Sequence, residues 1–306
     1  MKKILITGGA GYKGTLLARA VLARGHAVTV LDNFMYGFDP VLGFASDPNC
    51  SIVKKDIRNI EASDVEGYDV IYHLAAISGY PACEANPHSA QTINVDSTQM
   101  LIDLMDDDQL LIYASTTSMY GKRPERQDET TPPAPGSLYG MTKYAGEKIA
   151  MTRENSIAFR FATLFGASLK MRPDLMLNDF VHKAVTERSL VLFDEHSVRT
   201  FLHVNDSIRT YLMALDDARP FIGNVFNVGS EKMNFSKLDI AQRIKKYVEM
   251  EIVHSSLADL DKRDFIIDFS RIAELGFELS VDLDTGIQEL IRLYNWYRPY
   301  VPYQTI

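Results

Sequence analysis

Tyr139 and Lys143 place a phenol and an ammonium four residues apart, on one face of a predicted helix. A nearby positive charge stabilises a phenolate, so Lys143 would lower the pKa of Tyr139 from its ordinary value of about 10. A tyrosine tuned in this way can remove the proton of a sugar or alcohol hydroxyl while the carbon beneath gives a hydride to a nicotinamide cofactor. A chance surface pair is the alternative.

A row of hydroxyl groups supports the catalytic interpretation. Ser115-Thr116-Thr117-Ser118 directly follows the apolar run 110–114, which is part of a predicted strand. Ligands of open α/β sheets bind outside the carboxyl ends of the strands. One of these hydroxyls can therefore form a hydrogen bond to the same substrate oxygen that Tyr139 deprotonates.

A glycine-rich turn near the start of the chain predicts a dinucleotide site. A short strand, Lys3–Thr7, runs into Gly8-Gly9-Ala10-Gly11-Tyr12-Lys13-Gly14, and a helical pattern follows. Glycines allow a tight bend, the approach of a pyrophosphate and close helix packing, and the first N–H groups of the helix face the phosphates. A second strand ends at Asp32, eighteen residues after Gly14, where a carboxylate can bind the ribose of NAD and repel the extra phosphate of NADP. A plain structural turn is the alternative.

These groups need a parallel sheet to position them, and the alternation of β-rich runs with helical patterns predicts one. The predicted fold class is α/β, a Rossmann-type doubly wound parallel sheet with a smaller mixed α/β domain. The predicted strands are 3–7, 26–31, 51–54, 69–74, 110–115 and 156–161, and the predicted helices lie near 12–24, 86–105 and 138–154. Pro87 suits the first turn of its helix.

The regular alternation ends at about residue 167. Beyond it, strand patterns at 190–193 and 200–204 are mixed with helical patterns near 174–187, 205–216, 236–249 and 284–297. A second domain over the carboxyl edge of the sheet would close an active-site cleft.

The bulk composition excludes several classes of protein. A net charge of −8 over 306 residues gives no electrostatic footprint for nucleic acid and disfavours adhesion to an anionic membrane. Cys50 and Cys83 provide neither a disulfide framework nor the spacing of metal ligands, so we expect two buried or partly buried thiols and no metal. No apolar stretch approaches the roughly 20 residues of a membrane-spanning helix. Met1-Lys2-Lys3 leads straight into a strand, so we expect a cytoplasmic protein.

Taken together, the motifs resemble the extended short-chain dehydrogenases/reductases, and in particular their nucleotide-sugar epimerase and dehydratase branch. The motifs are Thr7-Gly8-x-x-Gly11-x-x-Gly14, Asp32, Asp56-Ile57, His73-Leu74-Ala75-Ala76, Asn94-Val95, Ser115-Thr116 before Met119-Tyr120-Gly121, Tyr139-x-x-x-Lys143, Arg160–Gly166 and Arg199–Asp206. The resemblance implies an NAD-binding domain of residues 1–166 and about 200–230. It also implies a nucleotide-sugar-binding domain of about 167–199 and 231–306.

The resemblance also implies roles for single residues. Tyr139 would be the catalytic base, Lys143 would bind the nicotinamide ribose, and Thr116 falls on the catalytic Ser/Thr position. The residues implied in cofactor binding are Gly8, Gly11, Tyr12, Lys13, Gly14, Asp32, Asn33, Asp56, Ile57, Leu74, Ala75, Ala76, Asn94, Tyr139 and Lys143. Those implied in substrate binding are Ser78, Thr117, Thr163, Asn178, Arg199 and Arg263. Arg199 would meet the diphosphate, to which arginine geometry is suited, and a surface salt bridge is its alternative.

Departures from the family pattern narrow the chemistry. Dehydratases of this branch carry Asp-Glu directly after the catalytic Thr, because the loss of water needs an acid and a base. Here those positions are Thr117 and Ser118. Ser118 also matches neither the Glu of the uronic-acid decarboxylases nor the Cys of the 3,5-epimerases. What remains is removal and return of a hydride, as in epimerisation at a carbinol carbon, or a net oxidation or reduction.

Three further departures concern the ligands. Lys13 replaces the usual apolar residue of the glycine turn, and its side chain would either extend to solvent or add charge near the phosphates. Thr163 stands where galactose-type epimerases have an Asn that helps to hold the diphosphate. Met171-Arg172-Pro173-Asp174 resembles a segment of less-characterised members, and fits a plain helix start equally well.

The leading hypothesis is an NAD-dependent epimerase that acts at C4 of a nucleotide-diphosphate sugar, through a 4-keto intermediate and with NAD retained. A C4 dehydrogenase or ketoreductase is the alternative, since it shares every catalytic residue. An inactive dinucleotide-sensing regulator is a more distant alternative, disfavoured because Thr116, Tyr139 and Lys143 are all present. The resemblance also implies a homodimer formed by the helices near 86–105 and 138–154. The sequence does not identify the nucleotide or the sugar of the substrate.

Overall fold

The computed structural model describes residues 1–121, 125–255 and 266–298 of the chain. Its strands are β1 (Lys3–Thr7), β2 (Ala27–Asp32), β3 (Cys50–Lys54), β4 (Val70–His73), β5 (Leu110–Thr116), β6 (Arg126–Gln127), β7 (Ser156–Phe161), β8 (Thr163–Phe165), β9 (Ser189–Leu192), β10 (Val198–His203), β11 (Asn224–Val228), β12 (Asn234–Ser236), β13 (Glu251–His254) and β14 (Ile266–Ile267). Its helices are α1 (Gly14–Leu22), α2 (Tyr80–Ala85), α3 (Pro87–Gln91), α4 (Ser97–Leu104), α5 (Leu138–Ala150), α6 (Met176–Thr186), α7 (Val204–Asp216), α8 (Lys237–Lys245), α9 (Ser270–Glu274) and α10 (Leu283–Tyr294).

A seven-stranded parallel sheet forms the centre of the molecule, with the strand order β11-β7-β5-β4-β1-β2-β3. This confirms the predicted Rossmann-type α/β fold class. The six predicted strands are present, each with ends within one residue of the prediction. β11 was not predicted, because Asn224 and Asn227 interrupt its apolar pattern.

Apolar residues on both faces of the sheet explain why helices cover it. On one face Ile4, Ile6 and Val30 pack with α1 and α7, and on the other Leu5, Ile71 and Leu111 pack with residues of α4 and α5. Full burial of each such side chain stabilises the fold by roughly 1.5–3 kcal/mol. The near-continuous apolar runs in the sequence follow from this two-sided burial.

The predicted helix near 86–105 is interrupted by a π-helical turn. Asn86 caps α3 by accepting a hydrogen bond from the N–H of Ser89, and Pro87 occupies the first turn as expected. A π-helical turn over Thr92–Asp96 then connects α3 to α4. Such turns widen a helix locally and are frequent at functional sites. The other predicted helices are present, and most are shorter than expected, as in α5, which ends at Ala150, whereas α7 begins one residue earlier than expected.

The remaining elements form a smaller mixed region. β10 pairs parallel with β8 and antiparallel with β12, and β9 pairs with β13. Helices α6, α8 and α10 surround a second apolar core that includes Phe165, Leu177, Phe201, Ile240 and Ile287. The predicted strands at 190–193 and 200–204 correspond to β9 and β10, whereas the division of the chain into two domains stays a prediction.

Two further observations complete the fold. The thiols of Cys50 and Cys83 are both free, and Cys83 is buried, as expected from the cysteine count. Within the described segments, no helix combines the length and the apolar character that a membrane crossing requires.

Candidate functional site

A cavity of about 570 Å³ opens at the carboxyl ends of the central strands. Its wall includes the residues that follow β1 and β4, the ends of β2, β5 and β7, and loops of the smaller region. The volume lies within the usual range of small-molecule sites. Its position at the carboxyl edge of the sheet agrees with the sequence-based prediction.

The glycine turn after β1 is held against the loop after β4. Gly8 has a φ of +69°, and a Cβ at this position would lie 2.6 Å from the backbone N of Ala75. A Cβ on Gly14 would lie 2.4 Å from the carbonyl oxygen of Gly8. Only glycine fits both positions, and the backbone at the start of α1 is left bare toward the cavity. This is the cradle that a pyrophosphate requires.

Acidic residues mark one end of the cavity. The carboxylate of Asp32 accepts hydrogen bonds from the N–H groups of Ala10 (3.0 Å) and Phe34 (2.9 Å), and burial raises its pKa. Asp56 forms an ion pair with Arg58, which lowers the pKa of Asp56 to about 2. Both line the cavity with Asn33 and Ile57, and their contact with an adenosine stays a prediction.

The predicted catalytic groups lie at the other end. Tyr139 is in the first turn of α5, which Ser137 caps by accepting a hydrogen bond from the N–H of Gly140 (3.1 Å). Thr116 ends β5, and its hydroxyl donates to the Oγ of Ser118 (3.1 Å) and accepts from the N–H of Ser118 (3.2 Å). Tyr139 and Thr116 line the same cavity. The structure therefore places in one cavity a phenol and a hydroxyl that are distant in the sequence.

Lys143 lies one turn further along α5 and behind the cavity wall. Its side chain is buried, and its Nζ is 4.0 Å from the centroid of the Tyr113 ring. Burial lowers the pKa of Lys143 to about 7, although Glu147 acts in the opposite direction. The predicted contact of Lys143 with the nicotinamide ribose stays a prediction.

A buried ion pair beneath the catalytic residues was not predicted. Arg160 of β7 and Glu147 of α5 are 2.6 Å apart, and their side chains are 5% and 3% exposed. Ser115 donates a hydrogen bond to Glu147 (2.6 Å), and Arg160 donates to the hydroxyl of Tyr120 (2.7 Å). The network joins the ends of β5 and β7 to α5. The sequence offered no local signal for this pair, because Glu147 and Arg160 lie on different elements.

Like Lys143, two further predicted site residues do not line the cavity. Asn94, in the π-helical turn, holds both backbone groups of Ile77 and donates to the hydroxyl of Thr142. Asn178 accepts from the N–H of Gly166 and donates to the carbonyl of Arg172. Both amides position cavity loops in this structure, and their predicted ligand contacts stay predictions.

Most of the remaining predicted site residues line the cavity. Lining the cavity, in addition to the residues above, are Gly11, Tyr12, Leu74, Ala76, Ser78, Thr117, Thr163 and Arg199. Thr117 donates to the carbonyl of Phe161 (3.3 Å). Arg263 lies outside the described residues.

Cationic side chains from the smaller region line the part of the cavity beyond Tyr139. They are Lys170, Arg172, Lys183, Arg199 and Lys237, of which only Arg199 was predicted as a site residue. Arg172 pairs with Asp174 (2.6 Å) and donates to the carbonyl of Ser78 (3.4 Å). The closeness of Lys170 and Arg172 in sequence, just before α6, was the available signal for this basic surface.

One of the two positions expected for the side chain of Lys13, extension to solvent, is wrong. The side chain turns into the molecule, where its Nζ is 4.1 Å from the centroid of the Phe161 ring and donates a hydrogen bond to the hydroxyl of Tyr211 (3.2 Å). The cause is apolar surface from β7 and α7 at this position, which accommodates the long aliphatic part of lysine.

Comparison with known proteins finds matches to one family along most of the chain. The model of the NAD dependent epimerase/dehydratase family matches residues 4–229. UDP-glucuronate 4-epimerase 4 of Arabidopsis thaliana is 28% identical over 97% of this chain and 75% of its own length. An uncharacterized UDP-glucose epimerase of Bacillus subtilis is 30% identical over 74% of this chain and 76% of its own length.

A solved structure extends the similarity to three dimensions. The UDP-glucuronic acid 4-epimerase of Bacillus cereus, crystallised with UDP-glucuronic acid and NAD, superimposes with a TM-score of 0.83 and 26% identity. The match covers 96% of this chain and 99% of that one.

Proposed function

Because the chain belongs to the NAD-dependent epimerase/dehydratase family, we propose that it is an enzyme that epimerises a UDP-activated sugar at C4, with NAD as a retained cofactor. The cavity has the parts that this reaction needs: a glycine cradle, an acidic adenosine end, a tyrosine beside hydroxyls, and a cationic extension.

The residues present fit NAD. The bare backbone of the glycine turn, in which Cβ atoms on Gly8 and Gly14 would collide with other backbone, would hold the pyrophosphate, and Asp32 would hold the adenine ribose. When bound, NAD supplies the site that accepts and returns a hydride. Tyr139 would take the proton from the substrate hydroxyl oxygen and return it, while Thr116 would orient that oxygen by a hydrogen bond.

The observation that carries the choice of epimerisation is the chemistry of the residues next to Thr116. Elimination of water needs an acid and a base beside the sugar. Thr117 and Ser118, at the positions of that pair, are buried hydroxyl residues. Among described lining residues, Asp174 and Asp179 are paired with Arg172 and Lys183. Hydride removal and return needs neither an acid nor a second base.

The charge of the cavity supports an acidic substrate. The described lining from the smaller region has five cationic side chains and two carboxylates, and both carboxylates are in ion pairs. A nucleoside diphosphate adds two phosphates, and a uronic acid adds a carboxylate, which arginine binds well. UDP-glucuronic acid, the substrate named for two of the similar proteins, is therefore the first compound to test.

The test is conversion without added cofactor. Purified protein is mixed with UDP-glucuronic acid, UDP-glucose or UDP-galactose, and the sugars are followed by NMR. We expect UDP-glucuronic acid to be converted to its C4 epimer, with NAD(H) still bound. Stoichiometric release of NADH with a stable ketosugar would instead show a C4 dehydrogenase.

A matched pair of variants tests the base. Tyr139→Phe should lower kcat about 10²- to 10⁴-fold, since general base catalysis contributes that much. Tyr144→Phe, on the same helix but outside the cavity, should have near-normal activity. Unchanged activity of Tyr139→Phe would refute the proposed role of Tyr139 as the base.

We also propose a homodimer. Met100 of α4 and Met141 of α5 are large apolar side chains exposed at 38% and 48%, on the helices expected to form the contact. Light scattering should give the mass of two chains, and the double variant Met100→Glu with Met141→Glu should give one. A cytoplasmic location and a role in carbohydrate biosynthesis stay predictions.

A further inference from the structure

Lys13 lies between the glycine turn and the catalytic end of the cavity. It precedes α1, lines the cavity, and points its amine at Phe161 and Tyr211. Phe161 is the register partner of Thr116 in the β5–β7 pair, so neighbouring strands place the amine close to the catalytic hydroxyl. Burial raises the pKa of Tyr211, whose hydroxyl therefore stays neutral.

The amine of Lys13 contacts the rings of Phe161 and Tyr211 and the hydroxyl of Tyr211. In residues 1–121, 125–255 and 266–298, no carboxylate forms an ion pair with Lys13. The nearby cation Lys143 repels it, and burial together with Lys143 lowers the pKa of Lys13 to about 7. A positively charged ligand group placed here would be repelled by the ammonium groups of Lys13 and Lys143.

The geometry of the cavity determines which part of the dinucleotide comes near Lys13. With the pyrophosphate at the glycine turn and the adenosine at Asp32 and Asp56, the nicotinamide must lie toward Thr116, Tyr139 and Phe161. This placement rests on the proposed function. The oxidised nicotinamide ring carries a positive charge, and the reduced ring is neutral.

We propose that Lys13 makes the cofactor site prefer NADH over NAD⁺, by placing an ammonium beside the nicotinamide end where relatives of this family have an apolar residue. Repulsion between like charges weakens the binding of the oxidised ring and leaves the reduced ring almost unaffected. A site of this kind keeps the reduced cofactor bound while the keto-sugar turns in the cavity.

The test measures binding alone, in protein freed of cofactor. Dissociation constants are determined for NAD⁺, NADH and ADP-ribose, which has the same pyrophosphate but no nicotinamide. Lys13→Met removes the charge at similar length, Lys13→Arg keeps it, and Lys246→Met removes an exposed charge from the end of α8, far from the cavity lining. Melting temperatures confirm that each variant is folded.

We expect Lys13→Met to bind NAD⁺ about tenfold more tightly relative to NADH, with ADP-ribose affinity within about twofold of the original protein. Lys13→Arg and Lys246→Met should keep the original ratio. Equal weakening of NAD⁺, NADH and ADP-ribose in Lys13→Met would overturn the proposal and assign Lys13 to the phosphates. An unchanged ratio would also overturn it.

A second measurement covers the case in which Lys13→Met does not fold. In the original protein, the preference for NADH should decrease as the pH rises through the pKa of Lys13, because the neutral amine no longer repels the oxidised ring. The other titratable groups near this position are Lys143 of α5 and Tyr211 of α7, and Tyr72 and Tyr139 lie near Tyr211. A ratio independent of pH would contradict the proposal. Because no sugar is present, the result does not depend on the substrate assigned above.

Discussion

The two halves of the cavity are built from different groups. The half that we propose for the cofactor includes a glycine turn packed against the backbone of Leu74 and Ala75, and the carboxylate of Asp32 fixed by two N–H groups. The half that we propose for the substrate includes five cationic side chains, two carboxylates and apolar side chains from the smaller region. Backbone contacts suit the part of a ligand that is constant, and side chains suit the part that differs between relatives.

This difference in structure predicts that substitutions in the two halves affect the binding of different ligands. A backbone cradle has no room for one added methyl group, whereas long side chains can be exchanged without disturbing the chain path. Changes in the first half should therefore affect NAD binding, and changes in the second half should affect the choice of nucleotide sugar.

Glu147→Gln should have the largest effect, since it leaves the buried Arg160 without its charge partner beneath both halves. We expect a decrease of about 3–5 kcal/mol in the free energy of unfolding, measured by chemical denaturation. Asp216→Asn, which breaks the exposed pair with Arg24, is the control and should change stability much less. Equal losses in the two variants would show that burial of the first pair is unimportant.

Gly8→Ala should weaken the cofactor half selectively. The added Cβ would lie 2.6 Å from the N of Ala75, at a φ of +69°. We expect NAD affinity to fall about 10- to 100-fold in calorimetric titration, since each such strain costs about 1–3 kcal/mol. UDP affinity should stay near its original value. In Gly43→Ala the nearest atom is 4.0 Å away, and NAD binding should not change.

Arg199→Met should weaken the substrate half selectively. A buried cation that binds the diphosphate contributes about 1.5–3 kcal/mol, so UDP affinity should fall at least about tenfold. NAD affinity should stay within about twofold. Arg219→Met, which changes an exposed arginine, serves as the control. Loss of NAD binding in Arg199→Met would contradict the separation of the two halves.

The pH dependence of NAD binding should show the smallest effect. Burial raises the pKa of Asp32, so this group takes up a proton at a higher pH than an ordinary aspartate, whose pKa is about 3.9. The neutral carboxyl is a weaker acceptor for ribose hydroxyls. NAD affinity should therefore begin to fall at a higher pH than an ordinary aspartate would cause, and should fall a few-fold as the pH is lowered toward about 3.9. Asp32→Asn should bind more weakly and lose this dependence, and UDP binding should not share it.

Much of the cofactor half could be predicted from the sequence. The glycine turn, Asp32 and the strand boundaries depend on residues close together in the chain, where backbone conformation and apolar periodicity are strong signals. The substrate half could be predicted only in part, since Lys170, Lys183 and Lys237 come from separate loops and helices. Apart from the closeness of Lys170 to Arg172, nothing local in their sequence indicates a shared cavity.

By itself, the sequence determined the parallel sheet, the position of the dinucleotide turn and the type of catalytic groups, because each depends on short-range patterns of residue type. Only the tertiary structure decided which charges meet. It turned Lys13 inward onto Phe161 and Tyr211, placed Lys143 behind the cavity wall, and paired Glu147 with Arg160 across two elements. Such contacts depend on the packing of elements distant in sequence, and electrostatic energies depend on the burial that this packing creates.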